Sequence, residues 1–246
     1  MAVIEARGLE KSYGSVDALC GMTLSISRGE LFGFLGPNGA GKTTTIRTLT
    51  GQLEPDAGTA TVLGTDPADD PIETRRRVGI LPEQQSPPSF LTPREFFAFV
   101  GDVRNLDADA VAERTDLWAD RLAFREKLDT LHTDLSRGQQ QKVMIAQAFF
   151  HEPAAVFIDE PLANLDPLVQ EQVKRFLRGY AAAGNAVFVS THNIDVAEEI
   201  CTRVGIVSEG RLVAERSLPT DDSLLEVFLE RVDGTEPPTE ESPLVA

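Results

Sequence analysis

The stretch GPNGAGKTT, Gly36 to Thr44, constrains this chain more than any other feature. It fits the pattern G-x-x-x-x-G-K-[ST] in full. The compact apolar run ELFGFLG leads into it and the helix-like KTTTIRTLTG follows, with Gly51 placed to stop the helix. A loop of this kind works only between a strand and a helix. Gly36, Gly39 and Gly41 let the backbone turn tightly, and with Pro37, Asn38 and Ala40 they form a concave run of N–H groups suited to phosphate oxygens. The helix starting at Lys42, Thr43 and Thr44 adds the positive end of its dipole. Lys42 supplies a point charge to the β- and γ-phosphates of a nucleotide, and the Thr43 hydroxyl is placed to ligate Mg²⁺. A glycine-rich loop that binds nothing is the competing reading, and the strand–helix context argues against it.

A second chemical feature lies far along the chain. AVFIDE, Ala155 to Glu160, reads as a buried strand ending in two carboxylates. In a parallel sheet such strand ends face the ligand crevice. Asp159 can hold Mg²⁺ through water; Glu160, pointing another way, can orient or deprotonate an attacking water. Alone, the pair could be a polar strand terminus. Beside a phosphate loop it reads as catalytic.

The rest of the chain suits an α/β sheet. VIEARGLEKSYG, LCGMTLSISRGE and GTATVLG are short strand-like runs broken by Gly and Ser. From Pro71 to Leu135 the pattern predicts helices, with Phe96, Phe99, Val100 and Val103 at helical spacing. Strands return at AAVFIDE and NAVFVSTH, with the amphipathic LVQEQVKRFLRGYAAAG between them. Strand, helix, strand predicts parallel pairing. The segment from Asp233, DGTEPPTEESPLVA, has the composition of a disordered acidic tail.

Composition bounds the function. Asp and Glu number 39 against 23 Lys and Arg, a net charge of −16, and only five of the basic residues are lysine. Such an excess argues against nonspecific binding of nucleic acid or anionic lipid. It reads either as a solvated surface or as adaptation to molar salt, where self-repulsion is screened. The run Arg75-Arg76-Arg77 reads as a solvated face. Cys20 and Cys201 read as buried free thiols, and His132, His151 and His192 form no sequence cluster. No apolar run approaches a membrane span and no signal core opens the chain, which predicts a cytoplasmic protein that reaches a membrane only through a partner.

LSRGQ, Leu135 to Gln139, changes character abruptly into an apolar helical pattern. Ser136 and Gln139 have capping-box spacing. Gly138 in the first turn weakens the helix but leaves backbone N–H groups uncovered, which makes a second anion site. Together GPNGAGKTT, LSRGQ, VFIDEP, LANLDP and VSTH, with Ser136 of LSRGQ 23 residues before Asp159, resemble the nucleotide-binding subunit of an ABC transporter from about Val3 to Arg231. The resemblance implies a P-loop NTPase: a RecA-like α/β core, an N-terminal antiparallel β region and an inserted α-helical subdomain at about 84–150, within one ATPase domain over 1–232. It implies ATP and Mg²⁺ as ligands, and two copies or related subunits paired head to tail. In that pairing Ser136, Arg137, Gly138 and Gln139 would meet the ATP held by the partner.

The resemblance also implies roles for single residues. Tyr13 stacks on adenine, Glu160 is the catalytic base, Asp166 communicates across the dimer and His192 contacts the γ-phosphate. Two departures stand out. Arg137 replaces a common glycine, and GILPEQQ places Glu83 where the family usually has glutamine, with Gln84 in reserve for that role. Glu83 and the closing SLLEVFLERV resemble type-2 ABC exporters, which implies export through a separate permease at the inner face of the cell membrane. Part of the segment from Gln85 to Leu106 would then accept a cytoplasmic helix of that permease, although most of its phenylalanines read as core. The alternatives are a soluble ATPase of the same family acting on DNA or ribosomes, and a nonhydrolytic ATP-binding scaffold. The first would show a coiled-coil insertion or tandem cassettes; the second sits poorly with Asp159, Glu160 and His192.

Overall fold

Side-chain alternation sorts the strands into two sheets. The computed structural model describes residues 1–83, 86–162, 165–220 and 223–232. Strands β1 (Ala2–Tyr13) and β2 (Val16–Ser27) pair antiparallel, and β4 (Ala57–Val62) joins the other edge of β1. Ile4, Ala6 and Leu9 of β1 and Met22, Leu24 and Ile26 of β2 point inward, with polar residues between them. One face is wet and one is dry, as antiparallel sheets permit.

The second sheet has the order β5-β6-β7-β3-β8-β9. Its strands are β3 (Leu31–Leu35), β5 (Val78–Leu81), β6 (Ala155–Asp159), β7 (Ala186–Thr191), β8 (Arg203–Ser208) and β9 (Arg211–Ser217). All pairings are parallel except β8 with β9. β3, β6 and β7 are buried along their whole length. Successive residues serve opposite faces. Phe32, Phe34, Phe157 and Phe188 pack toward the antiparallel sheet, with Phe34 and Phe188 ring centroids 5.1 Å apart. Leu35, Ile158, Val187 and Val189 pack toward the helices on the other face.

Eight α-helices complete the described fold: α1 (Lys42–Leu49), α2 (Pro71–Arg77), α3 (Pro93–Arg104), α4 (Ala108–Arg121), α5 (Arg137–Phe149), α6 (Pro167–Ala182), α7 (Ile194–Ile200) and α8 (Leu224–Val232). None of the helices among the described residues is long and apolar enough to cross a membrane. Both cysteines are free; Cys201 is buried and Cys20 half-buried. The acidic segment 233–246 and Gln84 and Gln85 lie outside the described residues.

Three expectations need correction. The helical spacing is met by α3, but the phenylalanines of 85–106 are not mostly core: Phe96 and Phe97 are buried with Val100 and Gly101, while Phe90 and Phe99 are 76% and 55% exposed and Val103 is 57% exposed. Phe97 stacks on Phe150 at 4.9 Å, and a Cβ on Gly101 would meet Val111 Cγ2 of α4 at 2.3 Å. Those two close contacts, four residues apart, set the rotation of the helix. The stretch from Pro71 to Leu135 is also not all helical, since VGIL forms β5 against β6. Four residues are too few for a periodic signal, and pairing decides them. Finally, the run Arg75-Arg76-Arg77 is not one solvated face: Arg75 is half-buried and bonds the Gly51 carbonyl.

Candidate nucleotide site

β6, β7 and β3 are neighbours, so their C-terminal ends lie side by side. The phosphate loop leaves β3, Asp159 and Glu160 end β6, and His192 follows β7. The register places Asp159 opposite Ser190 and Leu35 opposite Thr191. A cavity of about 550 Å³ opens over these ends. Asn38, Gly39, Gly41, Lys42, Thr43 and Thr44 line it, facing Asp159, Glu160 and His192, and Tyr13, Ala18 and Glu83 complete it. Gly36, Pro37 and Ala40 shape the loop from behind. The Lys42 ammonium donates to the carbonyls of Gly36 (2.7 Å) and Pro37 (3.0 Å), and Ala40 is buried.

Local chemistry explains each placement. Gly41 sits at φ 102° just before α1, where a Cβ would lie 2.6 Å from the Ala18 carbonyl oxygen. Only glycine fits both the conformation and the approach. No side chain among the described residues caps α1, which leaves its first amides to meet an anion. Burial lowers the Lys42 pKa, opposed by the carboxylates of Glu160, Asp159 and Glu83.

The carboxylates are held firmly. Asp159 accepts from the Thr43 hydroxyl at 2.9 Å and from the Ser190 hydroxyl. Glu160 adopts φ 52°, an uncommon backbone for a non-glycine residue, and its N–H donates to the Ser190 carbonyl at 3.1 Å. That turn swings its side chain over the end of β7. There one oxygen accepts the His192 N–H at 3.0 Å and faces Nδ1 at 2.6 Å, while the other accepts the Thr191 hydroxyl at 3.1 Å. A carboxylate here only accepts, so Nδ1 carries the proton.

The remaining expected residues fall elsewhere. Ser136 caps α5 through the expected box: its hydroxyl accepts the Gln139 N–H at 3.3 Å, and the Gln139 side chain accepts the Ser136 N–H at 2.9 Å. Arg137 is exposed, and none of Ser136, Arg137, Gly138 and Gln139 lines the cavity. Asp166 caps α6, accepting the Val169 N–H at 3.1 Å. Glu83 also lines an adjoining 290 Å³ cavity with Thr43 and Asp159. Sequence reasoning gave no role to Ser190 and Thr191, which hold the two carboxylates, or to Ala18. The available signal was VSTH itself, two hydroxyl residues ahead of the histidine.

The donor set suits a hard divalent cation. The Thr43 hydroxyl and Asp159 carboxylate converge at 2.9 Å, and three carboxylates face one ammonium across the cavity. That excess of negative charge opposes a polyphosphate unless a cation offsets it.

A phosphate loop between strand and helix, facing strand-end carboxylates, defines a P-loop nucleotide-binding α/β protein. The ABC transporter family profile matches residues 19–163. The chain is 34% identical over 212 residues to the daunorubicin/doxorubicin resistance ATP-binding protein DrrA of Streptomyces peucetius, covering 86% of this chain and 64% of that relative. It is 32% identical to the Nod factor export ATP-binding protein I of Burkholderia lata, covering 87% and 71%. A solved ATP-binding subunit of an ABC transporter superposes with a TM-score of 0.87 at 30% identity, covering 93% of this chain and 98% of that one. The chain belongs to the ABC transporter family, among its ATP-binding proteins.

Proposed function

We propose that this chain binds and hydrolyses ATP as the energy-coupling subunit of an exporter, residues 1–232 acting as one ATPase unit with 84–150 as its helical subdomain. The observation that carries the reading is the convergence of Lys42, Thr43, Asp159, Glu160 and His192 on one cavity. The loop amides and Lys42 bind the β- and γ-phosphates, and Tyr13, 48% exposed at the cavity, offers its ring to adenine. Thr43 and Asp159 hold Mg²⁺, which when bound offsets phosphate charge. Glu160 accepts a proton from the attacking water, and its present partners Thr191 and His192 orient it. Freed from Glu160, the His192 ring can turn to the γ-phosphate. Glu83, which lines the adjoining cavity with Thr43 and Asp159, holds the water or the cation, with Gln84 as the reserve for that role.

The signature residues Ser136 to Gln139 lie off the cavity on a helix start with the Arg137 and Gly138 amides unbonded among the described residues. That supports a second copy or related subunit whose ATP they meet, with Asp166 beside the junction. Drug resistance and Nod factor export in the names of the two relatives support export. The partner is then a membrane permease, which places the chain at the inner face of the membrane; nucleic acid is not a partner of so acidic a surface. That surface also suits molar salt.

The test is the assembly state of Glu160→Gln by sedimentation, with and without Mg·ATP, beside phosphate release. A monomer that dimerises only with ATP, with turnover down about a hundredfold to ten-thousandfold, is expected. A monomer that binds ATP and stays single counts against a pair of identical copies and points to a related subunit or to a closure that needs the permease; a variant with normal turnover refutes the base.

A further inference from the structure

His132 belongs to none of the motifs above, yet its ring is only 1% exposed. It opens a short 3-10 turn, His132–Asp134, immediately before α5. Its Nδ1 lies 3.0 Å from the Pro88 carbonyl oxygen, and its N–H donates to the Leu91 carbonyl at 3.1 Å. Its own carbonyl accepts the Gln140 side chain at 2.8 Å, which also reaches the Leu135 carbonyl at 3.3 Å. The hydrogen bonds therefore run from Pro88 and Leu91, through one residue, into the first turn of the signature helix.

The tautomer follows from the partners. Burial lowers the ring pKa, so the imidazole is neutral near pH 7. A carbonyl only accepts, which puts the proton on Nδ1. Nε2 is then a bare acceptor, and among the described residues it has no partner. Phe96 meets the ring edge-on at 5.7 Å. An apolar residue would fill this space without leaving a buried nitrogen unbonded, which is unfavourable. What histidine adds is the Nδ1 donor.

We propose that His132 is a positioning residue that ties the first turn of α5, with Ser136 and Gly138, to the loop downstream of Glu83. The signature turn and the segment from Pro88 to Leu91 then move as one body, and loosening it misplaces the surface that meets the partner's ATP. The link to catalysis rests on the proposed function; the tie itself does not.

The experiment is hydrogen exchange on the full chain for His132→Phe, which lacks the donor, and His132→Asn, whose side-chain amide occupies the Nδ1 position. Fluorescence of Trp118, the only tryptophan in the chain, verifies folding, and His132→Leu replaces the Phe variant should that fail. Loss of the donor should raise exchange about tenfold in segments 86–92 and 132–141 together, with the Asn variant within about threefold of wild type. ADP affinity should not move in either, while the ATP concentration needed for dimerisation rises about tenfold in the Phe variant only. Exchange confined to 132–141, or an Asn variant as loose as Phe, overturns the tie. A wild type that neither dimerises nor hydrolyses ATP defeats the functional reading, and the exchange data still decide the role of His132.

Discussion

His151 should make this protein lose stability as pH falls from 7 to 5. The residue follows α5 and its Nε2 lies 3.1 Å from the Val78 carbonyl at the start of β5, so Nε2 is the donor and Nδ1 is a buried acceptor without a partner among the described residues. Burial, then the nearby charge of Arg104 and more weakly Arg114, push its pKa from 6.5 to about 4, against the opposing bond to Val78. The unfolded chain therefore takes up the proton first. Between pH 6.5 and 4 the unfolded state binds more protons, so stability falls as pH falls through that window and is fully present above it. At about 1.36 kcal/mol per unit, the loss at pH 5 is about 2 kcal/mol. The comparison is His151→Gln, whose side-chain amide keeps a donor for Val78 but does not titrate. Urea unfolding followed by Trp118 fluorescence at constant KCl should show wild type losing about 2 kcal/mol more than the variant between pH 7 and 5. His132, also lowered, is present in both proteins and cancels. Parallel losses in the two proteins would refute the assignment of a neutral His151 in the fold.

Three further outcomes follow from the same structure. Gly79→Ala places a Cβ 2.1 Å from the Ala148 carbonyl oxygen, where α5 crosses β5, and should cost about 1–3 kcal/mol in urea unfolding; an unchanged midpoint would mean that the helix is not seated there. Thr191→Val removes the hydroxyl that bonds Glu160 at 3.1 Å, so turnover should fall about tenfold with ATP affinity unchanged, and equal kcat in steady-state kinetics would exclude an orienting role. With a net charge of −16, the melting temperature should rise between low salt and molar KCl, whereas a flat or falling curve contradicts self-repulsion as a destabilising force.

The phosphate loop was legible because its chemistry is local. Gly36 to Thr44 carry the turn, the amides, the ammonium and the hydroxyl within nine residues, and the flanking ELFGFLG and KTTTIRTL state their own periods. The same holds for the Ser136–Gln139 cap, which closes within one turn, and for the Gly51 stop. Asp159, Glu160 and His192 were legible as strand ends, though not as partners. Their contact depends on β6 lying beside β7 with Asp159 opposite Ser190, and on the positive φ of Glu160 that sends its side chain across to His192. A pairing between residues some thirty positions apart leaves no mark in either segment alone. The rotation of α3 was decided in the same way, by Phe97 against Phe150 and Gly101 against Val111 rather than by its own spacing of apolar residues. β5 exists because β6 offers it an edge. The sequence by itself determined the loop, the caps and the strand ends, since their bonds close within a few residues. Tertiary structure decided register, helix rotation and the grip on the two carboxylates, since those contacts join segments distant along the chain.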